Sequence, residues 1–325
     1  MRRRDFVSQI AKSAFCRIAQ SRRMRWTVPK LYIEEAMMSN TRAATTAAAK
    51  PLEFQVMSGS FALVGNQPAN YTLVTGETEA LLVDVPFSRS DAHRVVAAIL
   101  DSGKKLTTIF VTHDHPDHFF SLDLLIESFP NAQIVAHAVV AKDMERSIPL
   151  KFQRWAEGIG ANAPRRGVVP TALPADEITL EGHTLKILGP MQGDHVHCTA
   201  LWDPDTRTLV AGDLVYNGAF VFLGEHLAPQ YAEWLASLDY LESLNPVRII
   251  AGHTKPGLPD DSFAIDWTRG YIRAFARMAK IAKSSREMAA MIHALYPNAV
   301  NFPGTEFLVE VPTQVATGEI PPWNE

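Results

Sequence analysis

The chain has 325 residues, 47% of them hydrophobic, and a formal charge of -4. That is enough to bury a sizeable core in one large domain or two ordinary ones, and no window is apolar for long enough to span a membrane. Cys16 and Cys198 are its two cysteines, so a disulfide framework is excluded.

Charge is unevenly spread. Residues 1–50 carry eleven Lys or Arg against Asp5, Glu34 and Glu35, a local +8 that leaves -12 for the rest. An acidic body is a poor match for a phosphate backbone, so nucleic acid is not an expected partner. Arg2 to Phe6 (R-R-R-D-F) has the start of a twin-arginine signal, but Lys12, Arg17, Arg22 and Arg23 interrupt the stretch where an apolar region should follow. The expectation is a disordered or loosely helical extension over 1–50, ending in an Ala/Thr-rich linker, ahead of a folded body over 51–325. The cytoplasm is the expected compartment, with export left open by the basic head.

Leu52 to Val56, Phe61 to Val64, Tyr71 to Thr75 and Ala80 to Val83 are short β-prone runs separated by turn residues, the pattern of an antiparallel meander. Asp84 closes the last run, and a charge at the end of a buried strand needs a partner. Asp91 to Leu100 reads as a helix, with Val95, Val96, Ile99 and Leu100 on one face and Gly103 beyond its end.

An apolar run (Ile109, Phe110, Val111) then stops at T-H-D-H-P-D-H. Three His and two Asp between positions 113 and 118, directly after a strand, are hard to explain as solvated surface. Alternation puts His113, His115 and Asp117 on one side, and Pro116 turns the chain so that His118 points elsewhere; one loop then serves two neighbouring metals. Imidazole and carboxylate donors suit zinc, and iron or manganese after it.

This H-D-H-P-D-H run resembles the H-x-H-x-D-H signature of the metallo-β-lactamase fold hydrolases. The resemblance covers about Leu52 to Lys283 and implies a four-layer αβ/βα sandwich with two metals where both sheets end. It further implies a third His on the first metal, a bridging Asp and a final His, each at a strand end. It also implies that Asp84 sits behind the site and orients a ligand; a helix-start or turn carboxylate is the alternative.

Helix (Ser121 to Ser128), strand (Ala132 to Ala136) and helix (Val139 to Arg146) continue an α/β alternation. His137 has no ligand role in the family pattern. Phe152, Trp155 and Ile159 fit one helical face within the weakly patterned stretch from Lys151 to Pro174, a candidate substrate cover. Leu185 to Leu188, Thr199 to Trp202 and Thr208 to Ala211 read as strands.

Between the first two of those lies G-P-M-Q-G-D-H-V-H-C, where the family usually shows a G-H-T-P-G-type turn. Family spacing back from Asp213 lands on Asp194, and a shift of one gives His195; Gln192 and His197 share the loop. His195 completes the three-imidazole set and is the first choice, with Asp194 as its competitor. Asp213 matches the bridging aspartate and His253, after the strand Val247 to Ala251, the final ligand. Tyr216 stands where lactone-hydrolysing members keep a tyrosine on the substrate carbonyl, or else is a core tyrosine. His226 is read as a rim or surface residue.

Pro229 to Leu244, Ser262 to Lys283 and Ser285 to Tyr296 have helical spacing, and Thr305 to Val311 reads as a last strand or arm. The implied ligand sets are His113, His115 and His195 on one metal and Asp117, His118 and His253 on the other, with Asp213 between. The implied activity is zinc-dependent hydrolysis of a lactone, ester, thioester or amide by a metal-bridging hydroxide that Asp117 orients. A small molecule is the expected substrate, and a homodimer is compatible with the C-terminal helices. Iron-dependent oxygen or sulfur chemistry and a non-catalytic binding protein stand as alternatives.

Overall fold

In the computed structural model of the chain, residues 50–60, 68–300 and 305–323 are described. Of the expected extension over 1–50 only Lys50 falls among them, and the expected strand Phe61 to Val64 lies outside them.

Two sheets form the centre. The first is six-stranded, in the order β1 (Glu53–Ser58), β2 (Asn70–Thr75), β3 (Glu79–Val83), β4 (Lys105–Val111), β5 (Gln133–Ala136) and β6 (Thr171–Ala172). Its first three strands pair antiparallel and the remainder parallel. The second runs β11 (Arg248–Thr254), β10 (Thr208–Asn217), β9 (Cys198–Asp203), β8 (His183–Met191), β7 (Glu177–Leu180), with only β10 and β11 parallel.

Side-chain alternation explains why these sheets stack and why helices cover both. Phe110 of β4 faces the other sheet, in a cluster with Leu81, Val83, Leu201, Val210 and Ile250. Its neighbours Ile109 and Val111 point the opposite way, against helix residues such as Val95, Ile99, Leu125 and Met144. On the second sheet Leu209, Ala211, Ile249 and Ala251 turn outward in the same manner, towards Trp234, Leu238, Ile272 and Phe275. Period-two strands with both faces apolar thus make three hydrophobic layers, and the fold is the four-layer αβ/βα sandwich.

The helices are α1 (Arg89–Asp101), α2 (Leu122–Ser128), α3 (Ala138–Ile159), α4 (Ala228–Ser243), α5 (Phe263–Met278), α6 (Ser285–Leu295) and α7 (Phe307–Ala316). Two expectations change. The helix expected to stop at Arg146 runs on through Pro149 to Ile159. An interior proline costs a helix about 3 kcal/mol, and here the turns on either side are anchored: Ser147 and the buried Lys151 both bond Asp114 in the loop after β4. The expected last strand at Thr305 to Val311 is instead the start of α7, although it is rich in β-branched residues and holds Pro312. Leu308, Val309, Pro312 and Val315 are its buried face, so tertiary packing overrides local propensity. No helix among the described residues is long and apolar enough to cross a membrane.

Trp234 of α4 is fully buried, donates its Nε1–H to Leu214 O at 2.9 Å and meets Tyr216 edge-on at 6.3 Å. Trp234→Ala is therefore expected to lower unfolding free energy by about 3–5 kcal/mol in denaturant titrations; a loss below about 1 kcal/mol would mean that α4 is not core.

Candidate metal centre

The strand ends of both sheets deliver the charged groups to one place. The chain leaves β4 through Thr112, His113 and His115, then makes a 3-10 turn over Pro116–His118 that carries Asp117 and His118. Asp213 lies in β10 where its pairing with β11 shifts register, and beyond the shift Tyr216 stands opposite His253. Such an irregularity re-aims side chains out of a regular sheet. Gly252 is required here, because a Cβ on it would stand 1.7 Å from Asp213 Oδ1.

Each imidazole is fixed from behind. Asp84 accepts from the Thr112 backbone N–H at 2.8 Å and the Thr112 hydroxyl at 2.8 Å, and takes the His118 Nδ1–H at 2.8 Å. The Thr112 hydroxyl in turn holds His113 Nδ1 at 3.0 Å, and the Pro68 carbonyl holds His253 Nδ1 at 3.0 Å. With Nδ1 occupied, Nε2 of all three rings faces inward. His115 is reversed: Nδ1 meets Asp194 Oδ2 at 2.9 Å and Nε2 meets Glu225 Oε1 at 3.1 Å.

Two groups of donors result. His113, His115, Asp194 and Asp213 form one, and Asp117, His118 and His253 the other, each with its donor atoms within 4.8 Å of one another. His113 Nε2, His118 Nε2 and Asp213 Oδ1 are buried with no hydrogen-bond partner among the described residues. His118 Nε2 lies 3.1 Å from Asp213 Oδ1 yet off the line of a hydrogen bond, and His253 Nε2 lies 3.4 Å from Asp117 Oδ2. Leaving such groups unpaired costs about 1–3 kcal/mol each, whereas ligands of one tetrahedral zinc sit about 3.3 Å apart. The donor chemistry of these residues therefore fits metal binding.

Electrostatics agree. Burial and then the charge of His118 push His113 well below its ordinary range, leaving the neutral ring that a metal requires. Burial, with Asp213 adding to it against the pull of His115, lifts Asp194 to about 7. Asp213 goes the other way, because His253 and His118 outweigh its burial. Glu225 is partly buried, yet His115 brings it down to about 2. Tyr216 is buried, and its hydroxyl lies 2.8 Å from both Asp194 Oδ2 and Asp213 Oδ2, so a single phenolic proton serves two carboxylates.

The structure brings His113, His115, Asp117, His118, Asp213 and His253 together, with Asp84 behind them. It puts a carboxylate oxygen of Asp194, and not a ring nitrogen of His195, in the donor group with His113 and His115, while the His195 ring packs edge-on against His115 at 5.6 Å. The Gly193 N–H bonds His195 O at 3.0 Å, a tight turn from which successive side chains diverge. His195 belongs to a separate group with Asp143 and His197, its Nδ1 taken by the His197 N–H at 3.1 Å. Gln192 donates to Gly193 O, and His137 caps α3. His226 is buried rather than at the rim, and its Nε2 holds Gly193 O at 2.7 Å. Glu225 was not legible in the sequence, since its only signal is spatial.

His115, Asp117, Asp194, Asp213 and His253 line a cleft of about 630 Å³, counted out to its open mouth. A family model for the metallo-beta-lactamase superfamily matches residues 64–253, the stretch holding every residue of both donor groups. The chain belongs to that superfamily. The uncharacterized protein YobT of Bacillus subtilis (strain 168) is 27% identical over 202 residues, 58% of this chain and 84% of its own length. A metallo-beta-lactamase family protein from Thermus thermophilus superposes with a TM-score of 0.57 at 18% identity, over 81% of this chain and 92% of its own. A metallo-beta-lactamase from Pontibacter korlensis gives 0.52 at 14% identity, over 70% and 97%. At these identities the superfamily fold is what the two solved structures share with this chain.

Elemental analysis of purified variants tests the placement of the loop. Asp194→Ala is expected to lose about one equivalent of metal and His195→Ala none, while Asp84→Asn should weaken metal retention against a competing chelator by about 10–100-fold.

Proposed function

We propose that this chain is a zinc-dependent hydrolase that cleaves an uncharged carbonyl compound of the lactone or ester class. The observation that carries the reading is the set of buried donors, His113 Nε2, His118 Nε2 and Asp213 Oδ1, left without partners among the described residues and grouped with His115, Asp117, Asp194 and His253, which line a cleft together with Asp213. One ion would be held by His113, His115 and Asp194 and the other by Asp117, His118 and His253, with Asp213 reaching both. Divalent cations bound there would supply Lewis acidity, polarising a carbonyl and lowering the pKa of water towards neutral.

The side chains divide the remaining work. Asp117 is the most exposed carboxylate of the donor groups, at 21%, and lines the cleft, so it can accept a hydrogen bond from the attacking water and aim it. The Tyr216 hydroxyl, between Asp194 and Asp213 and on the cleft wall, can turn its proton to a developing oxyanion. The choice of lactone or ester over amide rests on this tyrosine. The same proposal assigns the catalytic body to 51–325.

Iron or manganese is the second reading, favoured by Asp194. A carboxylate in place of the third imidazole makes the donor set harder, which suits those ions as well as zinc. The metal present in natively purified protein distinguishes the two.

Elemental analysis together with a lactone and ester panel, run with and without chelator, tests the activity. Two equivalents of zinc and a rate abolished by chelation are expected; full activity in metal-free protein would sink the proposal. Tyr216→Phe should lower kcat by about 10²–10³-fold while KM changes little. A change confined to KM would remove the tyrosine from the chemistry.

A further inference from the structure

The donor groups all lie within the matched stretch 64–253, but the cleft above them does not end there. Phe307, Leu308 and Trp323 line it from the C-terminal segment, facing Phe87, Trp155 and Phe222 from the body. The rings make an unbroken wall: Phe87 to Trp155 at 5.8 Å, Trp155 to Phe307 at 6.2 Å, Phe307 to Phe222 at 6.4 Å, and Phe222 down to His115 at 6.1 Å.

Trp323 closes the ring, 6.2 Å from Phe222 and 6.1 Å from Phe307. Its backbone N–H donates to Gly224 O at 2.8 Å, and the Arg154 guanidinium of α3 lies 4.3 Å from its ring centre. Gly224 permits this approach, because a Cβ there would meet Phe222 at 2.6 Å and Val311 of α7 at 3.0 Å.

The cleft's charge is as one-sided as its shape. Asp117, Asp194, Asp213 and Glu225 line it, and among the described residues no Lys or Arg does. A substrate carboxylate would find no lysine or arginine among the described residues of that lining and would face Glu225, which already holds His115 at 3.1 Å. The one polar group of the aromatic wall without a hydrogen-bond partner among the described residues is the buried Trp155 Nε1–H, a neutral donor.

We propose that residues 307–323 form the specificity wall of this site and that it selects an uncharged substrate whose acyl portion is a bulky aromatic or branched apolar group. The substrate class rests on the hydrolase reading above; the binding preference of the wall does not.

Two measurements keep these apart. p-Nitrophenyl acetate, phenylacetate and hemisuccinate share a leaving group and differ in the acyl part. The phenylacetate should exceed the acetate in kcat/KM by about tenfold, and the anionic hemisuccinate should fall below both. Trp323→Ala and Phe307→Ala should each cut the phenylacetate-to-acetate ratio several-fold, chiefly through KM, with Trp323→Phe retaining it. Binding of a neutral naphthalene fluorophore, Prodan, is then read against anionic anilinonaphthalene sulfonate by energy transfer from tryptophan in protein as purified. Prodan should bind more tightly, and Phe307→Ala should weaken it.

Ester turnover with a ratio that neither variant alters, or tighter binding of the anionic dye, overturns the wall while hydrolysis stands. Prodan binding that depends on Phe307, with no ester or lactone turned over, keeps the wall and overturns the hydrolase reading. Absence of both overturns both.

Discussion

Buried imidazoles and carboxylates facing one another, with ring nitrogens unpaired at their centre, are the constraint that the rest of this molecule serves. Packing such groups together without a cation is unfavourable: it strands donors and acceptors and crowds negative charge where water cannot screen it. The chain shows that tension in opposite directions at once, lifting Asp194 to about 7 and holding Asp213 well below the carboxylate range. A scaffold that holds this arrangement must over-determine every side chain in it.

Over-determination comes from the backbone. Asp84 has a positive φ of 63°, an uncommon conformation for a non-glycine residue, and its N–H is held by Phe110 O at 2.9 Å. From there its carboxylate ties Thr112 and His118, so the end of β3 fixes what β4 delivers. On the other side Asp114, buried between the two leading histidines in sequence, is fastened to α3 by Ser147 and Lys151. The loop that carries most of the donors is thus clamped by a strand end and a helix, and rotation of any one ring would break a bond made elsewhere.

Much of this was legible because it is periodic or local. The alternation of Ile109, Phe110 and Val111 and the H-D-H-P-D-H run together imply a strand ending in ligands; the structure has the strand, and His113, His115, Asp117 and His118 of the run join two candidate donor groups. What could not be read was decided by partners remote in sequence. Whether residue 194 or 195 faces the site depends on a turn held by His226, more than thirty positions downstream. Helix α3 passes Pro149 because Lys151 reaches Asp114, and α7 forms from strand-like residues because one face of it is buried. Strand β6 is two exposed residues long and carries no pattern at all.

Asp194 also links the chemistry of the floor to the character of the walls. In the proposed ligand set two divalent cations bring +4 against three carboxylates, Asp117, Asp194 and Asp213, leaving +1. Glu225, acting through His115, offsets that remainder. With an imidazole at position 194 the same floor would keep one more positive charge, and it would draw anions through a cleft whose described lining supplies no lysine or arginine. The carboxylate removes that pull. What remains to favour one substrate over another is the fit of an apolar body against rings, which Phe87, Trp155, Phe222, Phe307 and Trp323 supply to the lining of this cleft.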